Sequence, residues 1–212
     1  MLVREAEAHA ERSGGWTTAR HHAVPTTDIP LHLVPTLLAW FKSALANTLA
    51  PMLARHFGSV VKSASDIRVH DAFLVRYAAG KQQHLPLHTD ESQISLTIVL
   101  NEGFRGGGTY FADLRRAISP SVGHVIAFEG HALHGGEPIV QGTRYIIAAF
   151  LHVVEGEGVA ERDEAGGSST TAGKKKRTHD TAMRGDTMAA EEDGGPSSWA
   201  STSGGGSFSF GF

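Results

Sequence analysis

His88, Asp90 and His134 are the residues of this chain whose types and spacing suit a metal ion. His88-Thr89-Asp90 places an imidazole and a carboxylate two positions apart, and His134 follows after a strand-rich interval. Two imidazoles and one carboxylate occupy one face of a metal and leave the opposite face open. That arrangement suits ferrous iron that must take a co-substrate and dioxygen. Arg144 follows His134 by ten residues. Its planar fork of donors suits a remote carboxylate such as that of 2-oxoglutarate.

A histidine-x-aspartate triplet is weak evidence alone in a chain with 13 histidines. The order of features discriminates: the triplet at a strand end, a long β-rich interval, a histidine, then an arginine inside a final strand. His131 lies three residues before His134 and competes with it as the distal ligand. His70 and His124 fall in expected strands, His84 in an expected loop, and His21 and His22 ahead of the strand pattern, so each is read as packed or exposed. Arg144 shares its strand face with Ile146, Ala148 and Phe150, all apolar. A buried arginine is costly unless an anion pairs with it. No acidic residue lies near it on that strand, so a ligand carboxylate is the expected partner.

These side chains need a scaffold that brings distant strands together. Strands are expected at Ala72 to Tyr77, Ile94 to Leu100, Thr109 to Phe111, Gly123 to Phe128 and Thr143 to Leu151. In the second of these, Ile94, Leu96, Ile98 and Leu100 form one face and Ser95, Thr97 and Val99 the other, and the face with Ser95 and Thr97 is expected to line the co-substrate pocket. Before them, Leu37, Leu38, Phe41, Leu45 and Leu49 recur at helical spacing; Pro35 suits the helix start, and Pro51 is expected to break or restart it. Short strands separated by Gly and Pro turns, with helices only ahead of them, predict a mainly β fold with N-terminal helices: a double-stranded β-helix, or jelly roll.

Composition sets the boundaries. The expected organisation is an extension over 1–13, a domain over 14–154, and a low-complexity, disordered tail over 155–212, where Gly, Ser, Thr, Ala and charge replace aliphatic residues. Lys174-Lys175-Lys176-Arg177 in that tail is read as solvated charge. The chain has no cysteine, which excludes a disulfide-stapled scaffold and any thiolate metal site. A net charge of −3 supplies no field for nucleic acid, so none is expected as a partner. No apolar run is long enough for a membrane helix and none resembles a signal peptide, so the expectation is a cytoplasmic or nuclear protein without membrane association.

Several stretches in order carry a family resemblance: Val24-Pro25-Thr26-Thr27-Asp28-Ile29, Leu49-Ala50-Pro51-Met52, Phe73-Leu74-Val75-Arg76-Tyr77, His88-Thr89-Asp90-Glu91-Ser92, Val99-Leu100-Asn101, Gly106-Gly107-Gly108 and Gly142-Thr143-Arg144-Tyr145-Ile146. Through them residues 14–153 resemble the catalytic domain of procollagen lysyl hydroxylases, within the prolyl and lysyl hydroxylase group of 2-oxoglutarate, iron(II) dioxygenases. The resemblance implies that His88, Asp90 and His134 hold iron(II), with His134 chosen over His131 by its spacing to Arg144. It implies that Arg144 pairs with the distal carboxylate of 2-oxoglutarate and that Tyr77 hydrogen-bonds the co-substrate. Thr97 stands where those enzymes carry an asparagine contacting it. The implied reaction consumes dioxygen and 2-oxoglutarate, releases succinate and carbon dioxide, and hydroxylates a peptidyl lysine or proline, with ascorbate as reductant. The loop between Asn101 and Gly106 and the segment leading to His134 are shorter than in those enzymes, so the substrate-facing loops differ. The competing reading is a cupin-like metal-binding module, an isomerase or sugar binder, which needs no inward arginine.

Overall fold

Period-two alternation from Ile67 onward predicts strands. In the computed structural model, which describes residues 1–21, 23–154 and the backbone of 206–209, that region is β throughout. The strands are β1 (Asp28–Pro30), β2 (Ile67–Ala78), β3 (Leu85–His88), β4 (Ile94–Val99), β5 (Arg105–Gly106), β6 (Thr109–Phe111), β7 (Arg116–Ile118), β8 (His124–Glu129), β9 (His134–Gly136), β10 (Ile139–Gln141), β11 (Thr143–Val153) and β12 (Gly206–Ser209). A larger sheet runs β1-β2-β11-β4-β8-β12 and a smaller one β3-β9-β6-β7, with β5 and β10 as a separate pair. Pairing is antiparallel throughout. Strands adjacent in a sheet are mostly distant in the chain, and the fold is mainly β with a jelly-roll arrangement.

The expected strands are all present, with ends displaced by a few residues. The strand end expected at His88 is β3 and the one expected at His134 is β9, whereas β1 and β10 escape a pattern reading, because three residues carry too little alternation to register. β12 pairs with β8, Gly206 opposite Ala127 and Ser209 opposite His124. The run Lys174 to Arg177 and the rest of the expected tail lie outside the described residues.

Three α-helices lie ahead of β2: α1 (Leu2–Arg12), α2 (Pro35–Ala44) and α3 (Ala50–His56). Pro51 marks the restart of the helical stretch as α3. A π-helical turn, Leu45–Leu49, joins α2 to α3, and Pro51 falls in the first turn of α3. A proline there would clash with the carbonyl four residues back in a regular helix, and the wider turn relieves that clash. Residues 1–13, expected as an extension, supply α1, whose Ala6 and Ala10 are buried in the main core. Glu7 on α1 accepts hydrogen bonds from Trp16 Nε1 at 3.1 Å and from the Tyr145 hydroxyl, and faces Arg76 at 3.6 Å.

The helices cover one face of the larger sheet. Leu37, Phe41, Leu49 and Leu53 share a core with Ile94, Leu96 and Ile98 of β4 and Ile147 of β11. Every residue of β4 is buried, because its other face is covered too. That second face looks into a cavity bounded by both sheets, and Ser95, Thr97, Tyr77 and Arg144 line it.

Candidate metal centre

The triad is assembled by the ends of two short strands of the smaller sheet. β3 ends at His88, which is paired in register with His134 of β9. Asp90 lies just past the end of β3 rather than within it, and its N–H donates to the Gly130 carbonyl at 2.8 Å. The turn thus delivers the two-residue convergence expected of a strand. One donor atom from each of His88, Asp90 and His134 lies within 4.8 Å of the others. His88 Nε2 is 3.3 Å from Asp90 Oδ1, and His134 Nε2 is 3.6 Å from Asp90 Oδ2.

Both imidazoles are oriented from behind. Nδ1 of His88 donates to the Pro86 carbonyl at 2.8 Å, and Nδ1 of His134 donates to the Ala132 carbonyl at 2.9 Å. These bonds turn each Nε2 toward the carboxylate, and Nε2 is the nitrogen that a metal-ligating histidine presents once it is unprotonated. Phe128 packs edge-on to His134 with centroids 4.5 Å apart, and Phe111 packs on Phe128 at 5.1 Å. The donor set therefore fits iron(II): two neutral imidazole nitrogens and one carboxylate, converging on one point.

Electrostatics follow from partial burial. Burial favours a protonated Asp90, but the bonds from His88 and Ser95 and the charges of the two histidines outweigh it and hold the carboxyl below its usual range. Burial lowers His134. His88 is pushed down by burial yet ends raised, because Asp90 and the Pro86 carbonyl stabilise its charged form.

Arg144 and Tyr77 are cross-strand partners, directly opposite on β11 and β2. Arg144 is 3% exposed, and its Nη2 makes no hydrogen bond among the described residues. Burial lowers its pKa, and no carboxylate offsets that. Tyr77 is buried as well, which pushes its hydroxyl up to about 12, so it is a neutral donor at ordinary pH. Thr97 lies on the same wall from β4. The cavity holding the triad, Arg144, Tyr77 and Thr97 has a volume of about 500 Å³, ample for a small dicarboxylate and the tip of a second molecule.

The other histidines separate on geometry. His131 is 82% exposed and faces Glu129 at 3.1 Å, away from the triad. His70 packs edge-on to His152 at 5.3 Å. His124 Nδ1 lies 3.4 Å from the Val122 carbonyl, and His84 is exposed in a loop. His22 lies outside the described residues. His21 is outside the triad but contributes to the cavity wall. It lines the cavity with its ring 4.6 Å from Phe73, next to Arg20, which bridges Asp28 at 2.7 Å and Asp71 at 2.6 Å. A coil segment has no periodicity to betray such a role; only the basic pair Arg20-His21 ahead of the acidic Asp28 hints at it.

Residues 72–152, which include the triad and Arg144, match the 2OG-Fe(II) oxygenase superfamily. This part of the chain is a 2OG-Fe(II) oxygenase domain. Among its relatives, human procollagen-lysine,2-oxoglutarate 5-dioxygenase 2 is 32% identical over 166 residues, covering 71% of this chain and 21% of that protein. Mouse 2-oxoglutarate and iron-dependent oxygenase domain-containing protein 2 is 33% identical over 91 residues, covering 39% of this chain and 26% of its own length. The chain thus spans only a minor part of either relative. In fold it is similar to a prolyl 4-hydroxylase of Phytophthora capsici (TM-score 0.53, 22% identity, 72% of this chain and 53% of that one). It is also similar to a 2OG-Fe(II) oxygenase family oxidoreductase from Burkholderia pseudomallei (TM-score 0.52, 16% identity, 71% and 78%). Among the described residues, no helix is long and apolar enough to cross a membrane.

Proposed function

We propose that this chain is a 2-oxoglutarate- and iron(II)-dependent dioxygenase that hydroxylates an unactivated C–H bond, with a peptidyl lysine or proline as the substrate class. One observation carries the reading: a buried guanidinium without an anionic partner among the described residues opens into the same cavity as a two-histidine, one-carboxylate cluster. A metal-binding module without a keto-acid co-substrate has no use for that arginine.

In this reading His88, Asp90 and His134 hold iron(II). Arg144 pairs with the distal carboxylate of 2-oxoglutarate, which fixes the direction in which the keto acid enters. Tyr77 donates a hydrogen bond to the co-substrate from beside Arg144, and Thr97 does so from β4. Phe128 and Phe111 behind His134 keep water from that imidazole. The bound iron supplies dioxygen activation coupled to oxidative decarboxylation: one oxygen atom enters succinate as carbon dioxide leaves, and the other becomes the substrate hydroxyl. The protein's part is orientation and a shielded cavity. Ascorbate serves as the reductant that restores iron(II) after uncoupled turnovers. The peptide class rests on the protein substrates in the relatives' names.

The test is anaerobic addition of iron(II) and 2-oxoglutarate, followed by oxygen and a peptide library. A visible charge-transfer band, then succinate release with a one-oxygen mass gain on a lysine or proline peptide, is the expected result. Metal binding without the band would instead indicate a cupin-like site.

A further inference from the structure

We propose that Ser95 is a positioning residue of the metal centre, a hydroxyl that fixes the Asp90 carboxylate and is itself held by Ser92. The inference rests on the metal-binding reading above. Each histidine of the triad is oriented by a backbone carbonyl, but Asp90 has a side chain in that role. Ser95 Oγ donates to Asp90 Oδ2 at 2.5 Å, while Oδ1 faces His88. A hydroxyl has one hydrogen. Because that of Ser95 is committed to Asp90, the 2.8 Å contact between Ser92 Oγ and Ser95 Oγ has Ser92 as donor. The direction of the chain is therefore Ser92 to Ser95 to Asp90.

The surrounding backbone is built to keep this chain in place. Asp90 N–H donates to the Gly130 carbonyl at 2.8 Å, and Gly130 N–H donates back to the Gln93 carbonyl at 3.2 Å. A Cβ at position 130 would fall 2.0 Å from the Ser92 carbonyl oxygen and 2.6 Å from its hydroxyl. Only glycine there lets the turn carrying Ser92 close against β8. Ser95 itself is 2% exposed on β4, whose register with β8 and β11 sets its height in the cavity.

The chemistry explains why a hydroxyl stands here. The terminal torsion of aspartate is broad, so an unsupported carboxylate samples many orientations. Pinning Oδ2 defines how the carboxylate is presented to the point between His88 and His134. Partners of metal ligands typically contribute about tenfold to a hundredfold in metal affinity.

The experiment is Co(II) titration of the intact chain, following affinity and the ligand-field spectrum, with apo-protein melting as the control for folding. Ser95→Ala is expected to weaken Co(II) by about tenfold to a hundredfold and to alter the band shape, with the apo melting temperature little changed. Ser95→Thr, which restores a hydroxyl on a residue suited to a strand, is expected to recover both. Ser92→Ala is expected to give a smaller loss in the same direction. Wild-type affinity and spectrum in Ser95→Ala would overturn the proposal while leaving the metal site standing. If Ser95→Ala fails to fold, Ser92→Ala decides, and unchanged binding there overturns it. Failure of the wild-type protein to bind Co(II) would overturn the metal reading along with it.

Discussion

Arg144 lies with its guanidinium carbon 6.0 Å from the centre of the Tyr77 ring, and the two residues face each other across β11 and β2. A buried cation over a neutral aromatic ring is only partly compensated. Among the described residues, the ligand-free protein therefore leaves this charge unpaired. Replacing Arg144 by methionine should leave the ligand-free protein as stable as the wild type or more so. The same change should abolish the rise in melting temperature that 2-oxoglutarate produces. Differential scanning fluorimetry with and without the keto acid checks both. A residue whose role was structural would give the opposite pattern, destabilising the ligand-free form.

Arg144→Ala should raise the 2-oxoglutarate concentration needed for half-maximal succinate release by about tenfold to a hundredfold, the range set by a charge-assisted hydrogen bond of about 1.5–3 kcal/mol. Requirement for the peptide should move far less. Steady-state succinate assays at varied keto acid, then at varied peptide, separate the two. An unaltered keto-acid requirement would remove Arg144 as the anchor.

His88→Ala or Asp90→Ala should eliminate succinate release while leaving the fold in place. Neither side chain belongs to a hydrophobic core, and each mutation leaves the other donors near the cavity rather than buried among apolar groups. Circular dichroism and apo melting should match the wild type within a few degrees. His131→Ala should have no effect on either measure, because that ring is exposed and directed away from the triad. Loss of turnover in the His131 variant would contradict the assignment of the distal histidine.

Much of this arrangement was legible in the sequence because chemistry imposes it there. A histidine and an aspartate two positions apart, a later histidine and an arginine among apolar residues each violate the expectation for a bland strand, and the cavity explains all four. The long strands β2, β4 and β11 carry enough alternation to be recognised. Other parts left no such mark. α1 reads as charged sequence, and only tertiary contact buries Ala6 and Ala10. Pro51 reads as breaking or restarting the helix; it sits in the first turn of α3, and only the π-helical turn before it shows how the ring is accommodated. The wall formed by Arg20 and His21 depends on pairing with Asp28 and Asp71, the latter 51 positions away, which no local pattern encodes.

Gly107 tests how tightly Arg144, the proposed keto-acid anchor, is seated. Its φ is +76°, a region that L side chains rarely adopt, and a Cβ there would meet Ile139 Cδ1 at 2.5 Å and Arg144 Cδ at 3.2 Å. Gly107→Ala should destabilise the protein by about 1–3 kcal/mol through backbone strain and overpacking. It should also weaken 2-oxoglutarate binding, because Arg144, the proposed anchor, is one of the two side chains that must give way. Urea unfolding measures the first effect and the keto-acid requirement the second. A variant that is destabilised yet binds 2-oxoglutarate normally would show that Arg144 is held independently of this glycine.

Glu7 ties α1 to the larger sheet and makes stability depend on pH. Burial alone would raise its pKa, but the bonds from Tyr145 and Trp16, with the charge of Arg76, outweigh that and place it below 4.5. A carboxyl depressed in the folded state contributes stability that is fully present above its unfolded pKa. That contribution is lost as pH falls through the folded value. Glu7 is about one-third exposed, so screening tempers the effect. Glu7→Gln should cost on the order of 1 kcal/mol at neutral pH. The gap between variant and wild type should hold down to about pH 4.5 and narrow below it, where the wild-type carboxyl takes up its proton. Urea unfolding of both proteins from pH 7 to pH 3 checks this, and a gap that stays constant through the acid range would show that Glu7 acts through packing rather than charge.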